Sequence, residues 1–422
     1  MSSFRKSALV MAIAIAIAFT SIVSAQTKDE NLLAAAQSMQ PAVINTLHDL
    51  VLIESGSGNL GALSKVAIYA QTRLKALGAN TEVIKSDTSE RVMVKGVLNG
   101  TGKMRALLIA HMDTVYQDGI LSTQPYKLDG NRLYGPGIAD DKGGMSVILH
   151  SLALLQQAGW KDFATITVLF NADEEIGSGE SGETIAKLGE QADVALSFEP
   201  IVAKSIAKAE GVLLAAAGAT TATLEVKGRT SHAGAAPELG RNALMELSHQ
   251  MLATRDVAKG IPGAQLNWTY AQGGLVRNQI PEKAFAFGDV RLTQSGAADK
   301  LLAALESKIK ESHLVPDTEV SVKMDVGRPP YVAGERGLAL AKRAQAIYAE
   351  LDGRQLIMHP STGGGTDAGY AGRSGKPVVL ESLGLAGWGY HAKDEYIEID
   401  SIVPRLYLTA RLLQDFAKNP IR

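Results

Sequence analysis

Cysteine is absent from all 422 residues, which excludes disulfides, thiolate metal sites and cysteine nucleophiles together. Basic clusters interleaved with aromatic residues are missing as well, so nothing argues for nucleic acid. No Gly-x-Ser-x-Gly elbow occurs, and a serine hydrolase of that kind finds no support. Beyond residue 25 no apolar run reaches the length of a membrane span. Internal repeats and low-complexity linkers are not evident either. What holds such a chain is its core, with 46% hydrophobic residues, and whatever its polar side chains bind.

The length predicts two or three domains. The first 25 residues form a segment of their own. Arg5 and Lys6 give a basic start, Ala8 to Val23 is almost continuously apolar, and Val23-Ser24-Ala25 offers small residues for cleavage before Gln26. This pattern predicts an export signal over 1–25, too short for a spanning helix, and a periplasmic or secreted mature protein without a membrane partner. Its removal takes away two positive charges and no negative one, moving the formal charge from −2 to −4.

Five metal-type ligands stand out in what remains: His111, Asp140, the Glu174-Glu175 pair, Glu199 and His391. Two imidazoles with several carboxylates and no thiol form a nitrogen and oxygen donor set suited to a hydrolytic divalent metal, most often zinc. Singly each has a plainer reading, as a solvated turn or a hydrogen-bonded core histidine. The other histidines, His48, His150, His249, His313 and His359, read as structural. Placement separates the five from them. Met104 to Ala110 is a short apolar strand leading into His111, and Thr165 to Phe170 is another leading into Asp173-Glu174-Glu175. Met145, Ile148, Leu149, Leu152 and Leu155 recur between them at helical spacing, ended by Gly159. Alternating strands and helices imply an α/β fold with a mostly parallel sheet, whose strand ends collect the chemistry.

From about Thr220 to Met324 the pattern changes. Strands around Thr223–Val226, Leu266–Tyr270, Phe285–Phe287 and Glu319–Val322 alternate with helices at Asn242–Met251 and Ala297–Glu311, a βαββαβ order that matches a ferredoxin-like unit. None of the five ligands falls here. The expected organisation is therefore a catalytic domain in two parts, 26–217 and 328–422, interrupted by an inserted α+β domain, 218–327.

In His-x-Asp at a strand end, His111 and Asp113 point to the same side, so one can ligate while the other supports its ring. Adjacent carboxylates on an extended segment face opposite ways, so Glu174 and Glu175 should differ in role. The segments His111 to Val115, Gly135 to Gly144, Asp173 to Ser178 and Ser231 to Gly234 resemble the signatures of the M20 family of dinuclear zinc metallopeptidases, and within it the glutamate carboxypeptidases of bacteria. The likeness runs over nearly the whole mature chain. It implies a zinc-exopeptidase-like catalytic domain and two Zn2+ per subunit, with Asp140 bridging, His111 and Glu199 completing one site, and Glu175 and His391 the other. It also implies that Glu174 is the general base, that the Asp140–Asp141 peptide is cis, and that His232 serves the partner's active site across a homodimer by stabilising the oxyanion.

Asn278 and Arg291 resemble the family's substrate-binding positions, and an arginine fork suits the free carboxylate of a peptide C-terminus. Thr362, Gly363 and Gly364 could present backbone N–H groups to the same carboxylate. The expected reaction is release of a C-terminal amino acid, glutamate first, from an N-acyl or folate-like substrate. A second cation would have to read the glutamate side chain, and Lys204, Lys208 and Arg328 are the candidates. Two other readings stand beside this one: an aminoacylase or dipeptidase of the same family, and a non-catalytic binding protein, which would be expected to have lost the base or a ligand.

Overall fold

A computed structural model describes residues 28–422; the expected export signal lies outside them. None of the described helices is long and apolar enough to cross a membrane.

The main sheet has six strands in the order Asn80–Lys85, Val92–Asn99, Thr165–Asn171, Arg105–His111, Val194–Ser197 and Val378–Leu380. The last four run parallel, and the first two are antiparallel additions at one edge. Arg105–His111 is the fulcrum. The chain leaves it for the neighbour on one side, Thr165–Asn171, and then crosses to the neighbour on the other, Val194–Ser197. Ligands of α/β sheets bind at the carboxyl ends around such a reversal. Its residues Ala106 to His111 are all buried, because helices cover both faces and leave no position facing water.

Helix Lys142–Gln157 makes the crossover between these parallel strands. It packs against Glu30–Val51 and Ile402–Lys418, with Met145, Ile148, Leu149, Leu152 and Leu155 in the shared core. Asp141 caps its start by accepting from the Gly144 N–H at 3.1 Å, and Gly159, with φ +66, lies just beyond its end. A smaller sheet flanks the ligand edge, built from Lys127–Asp129, Arg132–Tyr134, Tyr396–Glu398, Ala386–Trp388 and Ile201–Val202.

The second large unit is a four-stranded antiparallel sheet, ordered Ala264–Gly273, Lys283–Leu292, Gly218–Lys227 and Glu319–Met324. Helices Ala243–Thr254 and Ala297–Lys308 lie on one face. Each has its own apolar cluster beneath the sheet, around Leu247 with Leu224 and around Leu301 with Val290. This is the βαββαβ arrangement the hydrophobic pattern predicts, with strand four beside strand one. Asn242 begins the first helix by accepting from the Leu244 and Met245 N–H groups. The chain enters and leaves through one backbone rung: the Ala219 N–H donates to the Arg328 carbonyl at 3.1 Å and the Arg328 N–H returns to Ala219 at 2.9 Å.

Candidate metal centre

Five side chains from five separate stretches converge at the carboxyl edge of the main sheet. His111 ends its strand, and its Nε2 lies 3.0 Å from Asp140 Oδ1 and 3.7 Å from Glu199 Oε2. His391 Nε2 lies 3.3 Å from Asp140 Oδ2 and 3.0 Å from Glu175 Oε2. Two triads result, His111-Asp140-Glu199 and Asp140-Glu175-His391, the donor atoms of each within 4.8 Å of one another. Asp140 belongs to both, with one oxygen toward each. His391 is 56% exposed at its side chain while His111 is 1% exposed, so one triad opens to the cleft.

The electrostatics are those of a cation trap. Burial alone would lower the His111 imidazole, yet Glu199, Asp113 and Asp140 raise it well above its ordinary value. His391 is pushed up to about 10 by its bonds to Asp140 and Glu175. Burial also lifts Glu175 and, helped by the neighbouring Glu174 charge, Glu199. Carboxylates crowded out of water favour any positive charge placed among them. Glu175 Oε1 is buried without a hydrogen-bond partner, an orphan acceptor that a cation would satisfy. The donor set of imidazole and carboxylate fits zinc-type metals.

A supporting shell fixes these groups. The Asp113 carboxylate accepts the Glu174 N–H at 3.1 Å, the Glu175 N–H at 3.2 Å and the Ser57 hydroxyl at 2.8 Å, which ties the acidic pair to the His111 strand end. Its backbone carbonyl lies 3.0 Å from His111 Nδ1, so the outward Nε2 is left for ligation. Asp141 accepts the His111 N–H at 3.2 Å. The Asp140–Asp141 peptide is cis. Glu395, which sequence reasoning leaves without a role, gathers the Asp140 loop: its two oxygens accept the N–H groups of Gly137, Ala139 and Asp140 at 2.8 to 3.0 Å, and the Tyr116 hydroxyl at 2.7 Å.

Glu174 belongs to neither triad but lines the same cleft. Its carboxylate is paired with the buried Arg328, which also donates to the Glu174 carbonyl oxygen and, at 3.2 Å, to Ser178 Oγ. Burial outweighs that partner and pushes the Glu174 carboxyl up to about 8. Gly365 makes the room, since a Cβ there would sit 2.8 Å from the guanidinium. A cleft of about 810 Å³ opens above, lined by Asp140, Glu174, Glu175, Glu199 and His391 from the main sheet edge. Asp289, Arg291 and Asp325 face it from the four-stranded sheet, and Arg328 and Gly364 from the connections.

The remaining expected residues divide. Arg291 and Gly364 line the cleft, and Arg291 is held by Asp289 at 3.0 Å. His232 and Asn278 sit together elsewhere, where strands Ser231–His232 and Gln279–Ile280 pair and the Ala233 N–H donates to the Asn278 carbonyl. His232 Nδ1 accepts from the Gly234 and Ala235 N–H groups, so a neutral ring carries its proton outward on Nε2. Thr362 and Gly363 are exposed next to the cleft, but the Gly364 N–H is already directed at Thr362 Oγ1. Of the three cations considered for a glutamate side chain, Lys204 is ion-paired with Asp400 and Lys208 caps a short helix in the left-handed region. Arg328 alone of these three lines the cleft.

Comparison with known proteins agrees with this architecture. The model of peptidase family M20/M25/M40 matches residues 107–415. Carboxypeptidase G2 of Pseudomonas sp. strain RS-16 is 44% identical over 395 residues, covering 93% of each chain. A succinyl-diaminopimelate desuccinylase of Gluconobacter oxydans is 25% identical over 73% of this chain and 81% of its own. Among solved structures, the M20 family metallo-carboxypeptidase Sso-CP2 of Sulfolobus solfataricus superposes with a TM-score of 0.69 at 17% identity, over 89% of this chain and 99% of that one, a likeness of fold.

Proposed function

The chain belongs to peptidase family M20/M25/M40, and from that premise we propose that it is a zinc-dependent carboxypeptidase that releases a C-terminal amino acid, glutamate first, from N-acyl substrates. The observation that carries the reading is the pair of triads sharing Asp140, beside a buried carboxylate that is not part of either. His111, Asp140 and Glu199 would hold one zinc ion, and Asp140, Glu175 and His391 the other. When bound, the metals supply Lewis acidity toward the scissile carbonyl and toward water.

The chain's own groups supply the rest. Glu174, raised toward neutrality by burial, takes the proton of the attacking water and hands it to the leaving amine nitrogen, the work of a base whose pKa lies near the operating pH. Arg291, already forked onto a carboxylate in this structure, is suited to exchange Asp289 for the free carboxylate of the substrate. The Thr362-Gly363-Gly364 turn beside the cleft would complete that contact, and Asn278, which sits beside His232, would join it from the neighbouring subunit. The segment 218–327 forms a domain of its own and pairs subunits, which brings the outward Nε2–H of His232 to the neighbour's site as an oxyanion donor. An export signal over 1–25 places the mature enzyme outside the cytoplasm.

An aminoacylase or dipeptidase of the same family would keep every ligand and differ in the cleft. The specific observation favouring carboxypeptidase action is the 44% identity with Carboxypeptidase G2 over nearly the full length. The test is direct. Prolonged chelation should abolish hydrolysis of N-acyl glutamates, zinc should restore it at two ions per chain, and Glu174→Gln should retain the metal while losing most of kcat. Full activity in metal-free protein would refute the reading.

A further inference from the structure

The wall that the four-stranded sheet presents to the cleft carries its charges in two rows. Ala219 pairs with Arg291 on one side and with Arg328 on the other. Two residues along the same strand, Thr221 pairs with Asp289, and on its other side its carbonyl accepts the Asp325 N–H at 3.0 Å. An arginine row therefore stands beside an aspartate row, roughly 7 Å apart along the strands. All six residues line the cleft. The backbone of Asp325 is fixed there: the Thr220 hydroxyl donates to its carbonyl at 2.7 Å, and Gly327 lets the chain lie close, since a Cβ on it would stand 2.3 Å from the Ala219 carbonyl oxygen.

Partners account for the other carboxylates of the cleft. Asp140, Glu175 and Glu199 belong to the triads, Glu174 holds Arg328, and Asp289 holds Arg291 at 3.0 Å. Asp325 is the exception among the described residues of the cleft, exposed and meeting no side-chain donor. A leaving glutamate brings two carboxylates to a wall on which Arg291 is the one arginine not committed to the base. A substrate that carries its own cation offsets the excess, and an unpaired carboxylate is where that cation is attracted. The spacing sets its size. Asp289 and Asp325 flank one strand and stand roughly 10 Å apart, with the Arg291 guanidinium held at the first. A substrate bridging Arg291 and Asp325 places its carboxylate and its cation somewhat closer than this, and the ends of two extended residues lie at most about 7 Å apart.

We propose that Asp325 is a specificity-determining residue that binds a cationic group on the acyl side of the scissile bond, the free α-ammonium of an aminoacyl residue, while Arg291 holds the carboxylate of the leaving glutamate. The proposal rests on the cleft being the substrate site of a carboxypeptidase.

The experiment compares zinc-loaded wild type with Asp325→Asn, which removes the charge and keeps the shape, on alanyl-glutamate and on N-propionyl-glutamate, the same skeleton without the amine. Wild type should prefer the alanyl compound, and the variant should lower that preference in kcat/KM by about three- to ten-fold, mainly through KM. The wild-type preference should also fade as pH rises through about 8, where an α-amino group loses its proton, and the variant should show no such fading. Absence of the preference in wild type, or an equal preference in both proteins, overturns the proposal. N-propionyl-lysine is the third substrate: if wild type favours it over N-propionyl-glutamate and Asp325→Asn does not, the carboxylate reads the leaving side chain and the proposal is overturned as well. If wild type cleaves none of the three, the proposed function fails on its own. Asp325 is then decided by calorimetric titration with the two glutamate compounds: weaker binding of alanyl-glutamate alone in Asp325→Asn supports the assignment, and equal binding overturns it.

Discussion

Glu395 decides where Asp140 points, because three backbone N–H groups of the Asp140 loop end on its two oxygens. Glu395→Gln keeps the shape but turns an N–H2 group toward one of those donors. Apparent zinc affinity should fall by about 10- to 100-fold, the usual effect of losing an outer support, measured by competition with a chromophoric chelator. A second prediction concerns His150, buried beside Thr46 at 2.9 Å and Arg73 at 3.3 Å. Burial first and the Arg73 charge second lower its imidazole to about 4. The unfolded chain, with the ordinary value near 6.5, binds the proton first as pH falls. His150 therefore contributes nothing adverse above 6.5, and stability is lost from there down through 4, by at most about 3 kcal/mol. In metal-free protein, His150→Gln should flatten the fall of Tm between pH 7 and 5. An unchanged slope would refute the assignment. At this scale the sequence was readable where chemistry follows an apolar run, as at His111 and Glu175. Glu395 was not, and Arg328 was named as a candidate cation for substrate but not as the partner of Glu174, because these partners lie 255 and 154 residues away and no local pattern encodes such a pairing.

Helix Lys142–Gln157 shows how tightly an element can be tied to the centre it serves. A Cβ on Gly144 would stand 2.2 Å from both Asp141 Oδ1 and the Phe198 carbonyl oxygen. One neighbour caps the helix and orders the His111 N–H; the other is the backbone just before Glu199. Gly144→Ala should destabilise the fold by about 1–3 kcal/mol and weaken zinc binding with it, seen as a lower denaturation midpoint and a lower metal content after dialysis. Elements with sustained periodicity were visible in advance, including both helices of the second unit. The flanking sheet that carries Glu395 beside Tyr396–Glu398 was not. Its strands are two or three residues long, shorter than one cycle of any pattern that could announce them.

At the scale of the whole molecule, the distance in fold between His232 and the cleft leads to a mixing experiment. Glu174→Gln and His232→Ala chains should each be nearly inactive. Combined under conditions of proven subunit exchange they should regain activity, because on the proposed pairing one site of a mixed dimer holds both groups. No recovery would place the histidine in service of its own subunit. His232→Ala itself should cost about 2.7–4 kcal/mol of barrier, as loss of one oxyanion donor does, with zinc content unchanged.

The rung between Ala219 and Arg328 has one more consequence, and it concerns ancestry and engineering rather than catalysis. Because the insert begins and ends at paired residues, the main sheet's strand order does not depend on it, and the ends it would leave already touch. It is a cassette. Replacing 220–327 by a short Gly-Ser bridge closes only a small loop, whose entropy is modest, so the remaining body should fold, hold metal and stay monomeric. A lineage could exchange the cassette for another, and with it change what the cleft accepts, without rethreading the parts that carry the two triads.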